Sequence, residues 1–212
     1  MKMKETNLRM SKHGPSKEKD LNKGVTSMLH MKQKYYNLEI VLELLKNESH
    51  LRGLSIKIGT NPMMVSRKLE ELFSLNVVDY KMQGRNKVYF LKKTTEARLL
   101  VFMAEEYKLI KFLEKHSAIR RIIDKIQQNK KVRLALLFGS YAKNLETSKS
   151  DIDIYVETSD NKIKKDLERL DSKLSIKIGK YDENNLLIKE IEKAHIIIKG
   201  LENYYEKNKF FN

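Results

Sequence analysis

A chain of 212 residues has room for one large domain or two small ones, and its 41% hydrophobic content is enough to build packed cores. No apolar run approaches the roughly 20 residues of a membrane span, and the absence of cysteine excludes disulfides and thiolate zinc sites. The expectation is therefore a soluble, cytoplasmic protein with no membrane partner. The formal charge of +15 is unevenly spread: residues 1–34 hold nine Lys and Arg against three acids, whereas residues 131–212 hold sixteen against fourteen. A basic N-terminal half points to a polyanion such as DNA or RNA.

Residues 1–34 lack a sustained apolar period and contain Gly14-Pro15, so they read as a basic arm. Leu38, Val41, Leu42 and Leu45 are spaced for the buried face of a first helix. A second helix is predicted over residues 51–58, stopped by Gly59. Asn61-Pro62 supplies an N-cap and a first-position proline for a third helix, with Val65, Leu69 and Leu72 on its apolar side. After Asn76 the period changes to extended, with strands at 77–82 and 87–92 around the turn residues Gln83-Gly84-Arg85-Asn86. Helices at about 95–113 and 119–128 follow, and their apolar residues are also candidates for a dimer seam.

From Lys131 the pattern alternates. Strands are expected at 132–138, 151–157 and 174–178, a Gly139-Ser140 turn and short helix at 141–145, and a helix at 162–170. A final helix is expected over about 186–203. The five histidines show no metal-ligand spacing with carboxylates, and the Met-rich segments, including Met63-Met64, read as adaptable packing. Paired aromatics at Tyr204-Tyr205 and Phe210-Phe211 read as cover for a core edge or a dimer seam.

Three helices and a hairpin, with Val65-Ser66-Arg67-Lys68-Leu69-Glu70-Glu71-Leu72, Asn76-Val77-Val78, Gly84-Arg85 and Tyr89-Phe90-Leu91, resemble archaeal and bacterial winged-helix regulators over residues 35–95. With its apolar side packed inward, the third helix turns Met63, Ser66, Arg67 and Glu70 outward toward a major groove. Arg85 and Lys87 on the wing suit phosphate contacts, which position a protein without reading sequence. The resemblance implies double-stranded DNA as partner and a homodimer that reads two half-sites. A protein-contact or dimerisation role for the module is the alternative.

The most specific pattern lies further on. Leu137-Phe138-Gly139-Ser140-Tyr141-Ala142 precedes Ser150-Asp151-Ile152-Asp153-Ile154-Tyr155-Val156. Residues two apart on a strand share a face, so Asp151 and Asp153 present paired carboxylates, hard ligands suited to Mg²⁺. Gly139 allows close backbone approach to a phosphate, and Ser140 with the following helix N-terminus offers donors to triphosphate oxygens. The two motifs resemble the polymerase-β-like nucleotidyltransferases, especially their minimal prokaryotic members, over about 131–212. Together the resemblances imply an α+β chain of two domains: an N-terminal winged helix-turn-helix and a C-terminal nucleotidyltransferase α/β domain, joined by a helical linker at 96–130.

The family resemblance implies a nucleoside triphosphate as ligand or substrate, Mg²⁺ as cofactor, and Asp151 and Asp153 as catalytic and metal residues. It also implies an acceptor, which can be RNA, a small molecule or a protein; some minimal members act as antitoxins by adenylylating a partner toxin. Two departures stand out. Asn144 replaces a second glycine, a substitution a left-handed Asn can accommodate. Active members also supply a third carboxylate from a later strand, where this chain reads Leu174-Ser175-Ile176-Lys177-Ile178. Glu157 shares the face of Asp153 but lies about 13 Å along the strand. Nucleotide binding without turnover and active nucleotidyl transfer are therefore both open.

Overall fold

The structure, a computed structural model, describes residues 35–211, so the expected basic arm at 1–34 lies outside the described residues. Helix α1 (Tyr36–Lys46) buries Leu38, Ile40, Val41 and Leu44. The apolar stripe is thus set one residue round from the Leu38/Val41/Leu42/Leu45 expectation, with Leu42 and Leu45 at its half-buried edge. A two-residue strand, β1 (Ser49–His50), leads into α2 (Leu51–Ile58), which ends at Gly59 with φ +68°. Helix α3 (Pro62–Ser74) starts as predicted, with Asn61 Oδ1 accepting from the Met64 amide at 2.8 Å. Val65, Leu69 and Leu72 recur on one face and are buried.

Strands β2 (Val78–Gln83) and β3 (Asn86–Leu91) form an antiparallel hairpin closed at Gln83 and Asn86, with Gly84-Arg85 at its tip. β1 adds to β3, giving the sheet order β1-β3-β2. A strand of two residues is too short to leave a periodic signal, which is why the sequence shows only the hairpin. This order of elements, helix, short strand, two helices and a two-stranded wing, is that of a winged helix.

Helix α4 (Thr95–Lys115) is capped by the Thr94 hydroxyl, which accepts from the Ala97 amide at 3.2 Å. A 3-10 turn (Ser117–Ile119) and α5 (Arg120–Gln128) follow. The remaining elements are β4 (Ala135–Phe138), α6 (Gly139–Ala142), β5 (Ile152–Glu157), α7 (Asn161–Glu168), β6 (Leu174–Gly179), α8 (Leu186–Lys193), β7 (Ile196–Lys199) and α9 (Leu201–Lys207). They build a sheet ordered β6-β5-β4-β7, in which β5 and β6 are parallel and the other pairs antiparallel.

The expected helix over 186–203 is a correction. It breaks at Ala194, whose backbone is extended, and Ile196-Ile197-Ile198 pairs with β4 as an edge strand. Three consecutive β-branched residues favour a pleated, buried strand over a helix. Gly200, at φ +82°, turns the chain into α9, and a side chain there would collide with the Arg133 carbonyl.

Alternation along the sheet separates two cores. Leu134, Leu136, Phe138, Tyr155 and Ile197 face the core that also holds the winged-helix residues Ile40, Leu54, Leu69 and Leu72. Ala135, Leu137, Ile152, Ile154 and Val156 face a second core closed by α5 and α7. Helix α4 enters both: Ala97, Val101 and Ala104 lie in the first, Leu109 and Phe112 in the second. Near the seam, Glu105 is buried but doubly held, by the Tyr205 hydroxyl at 3.2 Å and the Lys108 ammonium at 3.2 Å.

Candidate functional site

Strand β4 delivers the chain to Gly139, whose φ of +71° makes the sharp exit into α6. The backbone then closes on itself: the Leu145 amide donates to the Ser140 carbonyl at 3.0 Å, and Asn144 sits at φ +54°. Asn144 thus takes the left-handed conformation expected of it. The loop is tied down on two sides. Lys143 Nζ reaches Glu190 of α8 at 2.8 Å, and the Tyr141 ring meets His116 and Phe112 edge-on at 5.2 and 6.4 Å. Lys143 and Lys193 together hold the Glu190 carboxyl down at about 2.

The carboxylate pair is brought to this loop by strand pairing. Phe138 lies opposite Asp153 across the antiparallel β4–β5 pair, so Gly139 stands immediately beside the Asp153 carboxylate. Asp151 precedes β5, exposed, after a turn in which the Thr147 amide donates to Ser150 Oγ at 2.9 Å. Asp153 is half-buried. Burial pushes its carboxyl above the ordinary range and the Asp151 charge adds to this, while the Ser175 hydroxyl and Lys177 oppose it.

Gly139 and Asp153 thus adjoin, with Ser140 next along the chain and the charge of Asp151, one residue before β5 rather than on it, acting on Asp153. Among the described residues there is no group of three or more His, Cys, Asp or Glu that could hold a metal. Two carboxylates suffice for an ion such as Mg²⁺ whose remaining ligands are water and phosphate oxygens, so the donor set fits.

The sequence did not reveal what faces this pair. Parallel pairing sets Ser175 opposite Asp153 and Lys177 opposite Tyr155. Period-two alternation then places Ser175 and the exposed Lys177 on the face that bears Asp153. A cation thus stands beside the acids on the strand where a third carboxylate was sought. Glu157 is engaged elsewhere, accepting from Lys207 Nζ at 2.9 Å. The Lys177 position follows from non-local register and has no local signal; the Ser175-Ile176-Lys177 alternation was the one available hint.

On the winged helix, Met63 is 83% exposed and Arg67 and Glu70 are exposed, while Ser66 is half-buried with its hydroxyl 3.4 Å from Glu70 Oε1. Arg67 reaches back to the Met64 sulfur at 3.3 Å. Arg85 and Lys87 are exposed on the wing, and the Lys87 ammonium lies 4.0 Å from the centre of the Tyr80 ring. The four α3 residues lie within the first two and a half turns of the helix. Ile56 of α2 is 80% exposed, two residues past the buried Leu54 and so off the helix's apolar face.

Residues 107–204 match the family model of polymerase beta nucleotidyltransferases, a stretch that begins inside α4. No curated protein matches the chain. Among solved structures it is similar to the adhesin competence repressor AdcR from Streptococcus pyogenes, at 14% identity and TM-score 0.37 over 52% of this chain and 92% of that one. It is also similar to the transcriptional repressor BigR from Xylella fastidiosa, at 20% identity and TM-score 0.30, over 40% of this chain and 83% of that one. Reduced HlyU from Vibrio cholerae matches at 23% identity and TM-score 0.31, over 43% of this chain and 95% of that one. By its own element order the stretch 36–91 is a winged-helix module, and residues 107–204 carry a polymerase-β-like nucleotidyltransferase domain. Among the described residues no helix is long and apolar enough to cross a membrane.

Proposed function

We propose that this chain is a cytoplasmic, DNA-binding, transcription-regulator-like protein whose nucleotidyltransferase-type domain binds Mg²⁺-nucleotide without turnover. The observation that carries the reading is the β5–β6 register, which sets Ser175 and Lys177 beside the acids on the strand expected to bear a third one. An ammonium donates hydrogen bonds and accepts none. Lys177 can therefore hold a phosphate oxygen but cannot take the proton of an acceptor hydroxyl. Asp151 and Asp153 would hold Mg²⁺, which when bound neutralises charge between the carboxylates and the phosphates. Gly139 and Ser140 offer the bare backbone and hydroxyl against which a triphosphate settles.

In this reading residues 35–95 form the DNA-binding part, 96–130 the helical connection and 131–212 the nucleotide part. Met63, Ser66, Arg67 and Glu70 face the bases, and Arg85 and Lys87 the phosphates. The active unit is a homodimer, since a single winged helix reads one half-site. Leu99, Met103 and Ile110 support this: they are exposed at intervals of four and seven residues, forming one stripe along α4.

A second reading, an active Mg²⁺-dependent transferase of NMP to a protein such as a toxin, an RNA or a small molecule, is favoured by the Gly139–Asp153 juxtaposition. One experiment separates the two. The protein is incubated with Mg²⁺, α-labelled ATP, CTP, GTP or UTP and cell lysate, beside an Asp151→Asn/Asp153→Asn control. Nucleotide binding by calorimetry without label transfer is the expected result. Transfer that disappears in the control would establish the enzyme instead.

A further inference from the structure

The end of the C-terminal sheet remote from Gly139 carries a cleft of about 730 Å³. Its position follows from the topology. Parallel strands β5 and β6 finish there at Glu157 and Gly179, Arg133 leads into antiparallel β4, and β7 finishes at Lys199. Asp153 and Glu157 are four residues apart on β5, so the cleft and the carboxylate pair lie about 13 Å apart along one strand. The lining includes none of Gly139, Ser140, Asp151 and Asp153.

The cleft is basic in excess of its own needs. Five cations line it against two acids, Glu157 and Glu206. Two of the five are engaged. Lys199 Nζ donates to the carbonyls of Gln127 and Asn129 at 2.8 and 2.7 Å, closing the end of α5, and Lys207 pairs with Glu157 at 2.9 Å. The other three, Lys130, Arg133 and Lys180, form no ion pair among the described residues. Like charges held around one concavity repel, and the arrangement is relieved by an anion that bridges them.

Shape limits what that anion can be. A β-carbon on Gly179 would meet nothing within 4 Å, so the missing side chain leaves open space at the mouth of the cleft. The Thr158 and Ser159 hydroxyls and the Asn203 amide add neutral donors around it. The volume is of the order of known small-molecule sites, about 300–1,000 Å³. A rigid duplex rides over a broad convex or flat surface and cannot enter such a recess, whereas a compact chain of phosphates can. We propose that this cleft is a second anion site, separate from the carboxylate pair, that binds a small polyphosphorylated ligand of the nucleoside-polyphosphate class. Arg133 supplies the planar fork that matches two phosphate oxygens, and Lys130 and Lys180 supply point charges to neighbouring phosphates.

The test uses the full chain, with tripolyphosphate and ATP as probes, in EDTA. Without a divalent cation Asp151 and Asp153 repel phosphate, so binding measured by calorimetry under these conditions isolates the cleft. Arg133→Glu/Lys180→Glu is expected to weaken tripolyphosphate about tenfold or more. Gly179→Leu, which fills the open space without changing charge, should weaken ATP and tripolyphosphate alike. Asp151→Asn/Asp153→Asn, which only removes negative charge at the other end of the sheet, should weaken neither. The proposal is overturned by an absence of binding at millimolar probe, by binding that survives both cleft variants, or by binding lost in the Asp variant. It is equally overturned if the charge reversal weakens duplex DNA but not tripolyphosphate, which would make the cleft a nucleic-acid contact. Thermal melting checks the fold of each variant, and Gly179→Leu carries the test if the charge reversal does not fold.

Discussion

A β-carbon on Gly139 would lie 2.5 Å from Oδ2 of Asp153, closer than real β-carbons approach an oxygen. The same glycine sits at φ +71°, where side chains are strained. Gly139→Ala therefore suffers twice, from backbone strain and from displacement of the carboxylate. A loss of at least about 1 kcal/mol of stability is expected, together with weakened Mg²⁺-nucleotide binding. Urea unfolding and calorimetry check the two effects; an alanine variant with wild-type values in both would show that the two residues are not mutually constrained.

Asp153→Asn should stabilise the protein while weakening its Mg²⁺-nucleotide binding. Burial raises the folded-state carboxyl above its unfolded value, so ionisation works against the fold. This penalty is absent below the unfolded value of about 4 and develops as pH rises to the raised folded value. The Asn variant should accordingly melt higher than wild type at pH 7, and the difference should vanish below about pH 4. A melting gap independent of pH would contradict this.

Lys177→Ala removes the cation beside the carboxylate pair. A charge-assisted hydrogen bond to phosphate is worth roughly 1.5–3 kcal/mol, so nucleotide affinity should fall about tenfold or more. Calorimetry with Mg²⁺-ATP reads this directly. An unchanged affinity would place the triphosphate away from β6.

On DNA, Arg85→Ala and Lys87→Ala should weaken binding evenly across sequences and each lower the salt slope by about 0.9. Arg67→Ala should cost about 1–3 kcal/mol on a specific site and much less on random duplex. Titrations at two or more salt concentrations separate these behaviours. A sequence-dependent loss at Arg85 would mean that the wing, not α3, does the reading.

Met103→Glu places a charge in the exposed stripe of Leu99, Met103 and Ile110 on α4. For the proposed homodimer, sedimentation should show the variant as a monomer whose melting no longer depends on protein concentration, and duplex binding should lose its two-half-site footprint. A variant that sediments like wild type would move the dimer seam elsewhere.

Much of this was legible in the sequence because the signals are local. Asn61-Pro62 announces α3 by capping chemistry, Gly84-Arg85 marks the wing tip, and Gly139 marks the sharp exit from β4. The failures share a cause. Ile196-Ile197-Ile198 is a strand only because β4 offers it an edge, and a short apolar run does not say whether a partner strand exists. Ser175 and Lys177 reach the carboxylates through the β5–β6 register, and the cleft at Arg133 and Lys180 is assembled from four strand ends. Pairing between distant segments decides each of them.

Helix α4 contributes Ala97, Val101 and Ala104 to one core and Leu109 and Phe112 to the other. The two halves of the chain therefore share a wall. A shift of this helix that suits the C-terminal core must also move against α1, and so change the seat of α3. The same sharing bears on how such a chain could have been assembled: neither module can be cut away at residue 95 or 115 without leaving an apolar face bare. Once joined through this helix, the two modules were committed to each other.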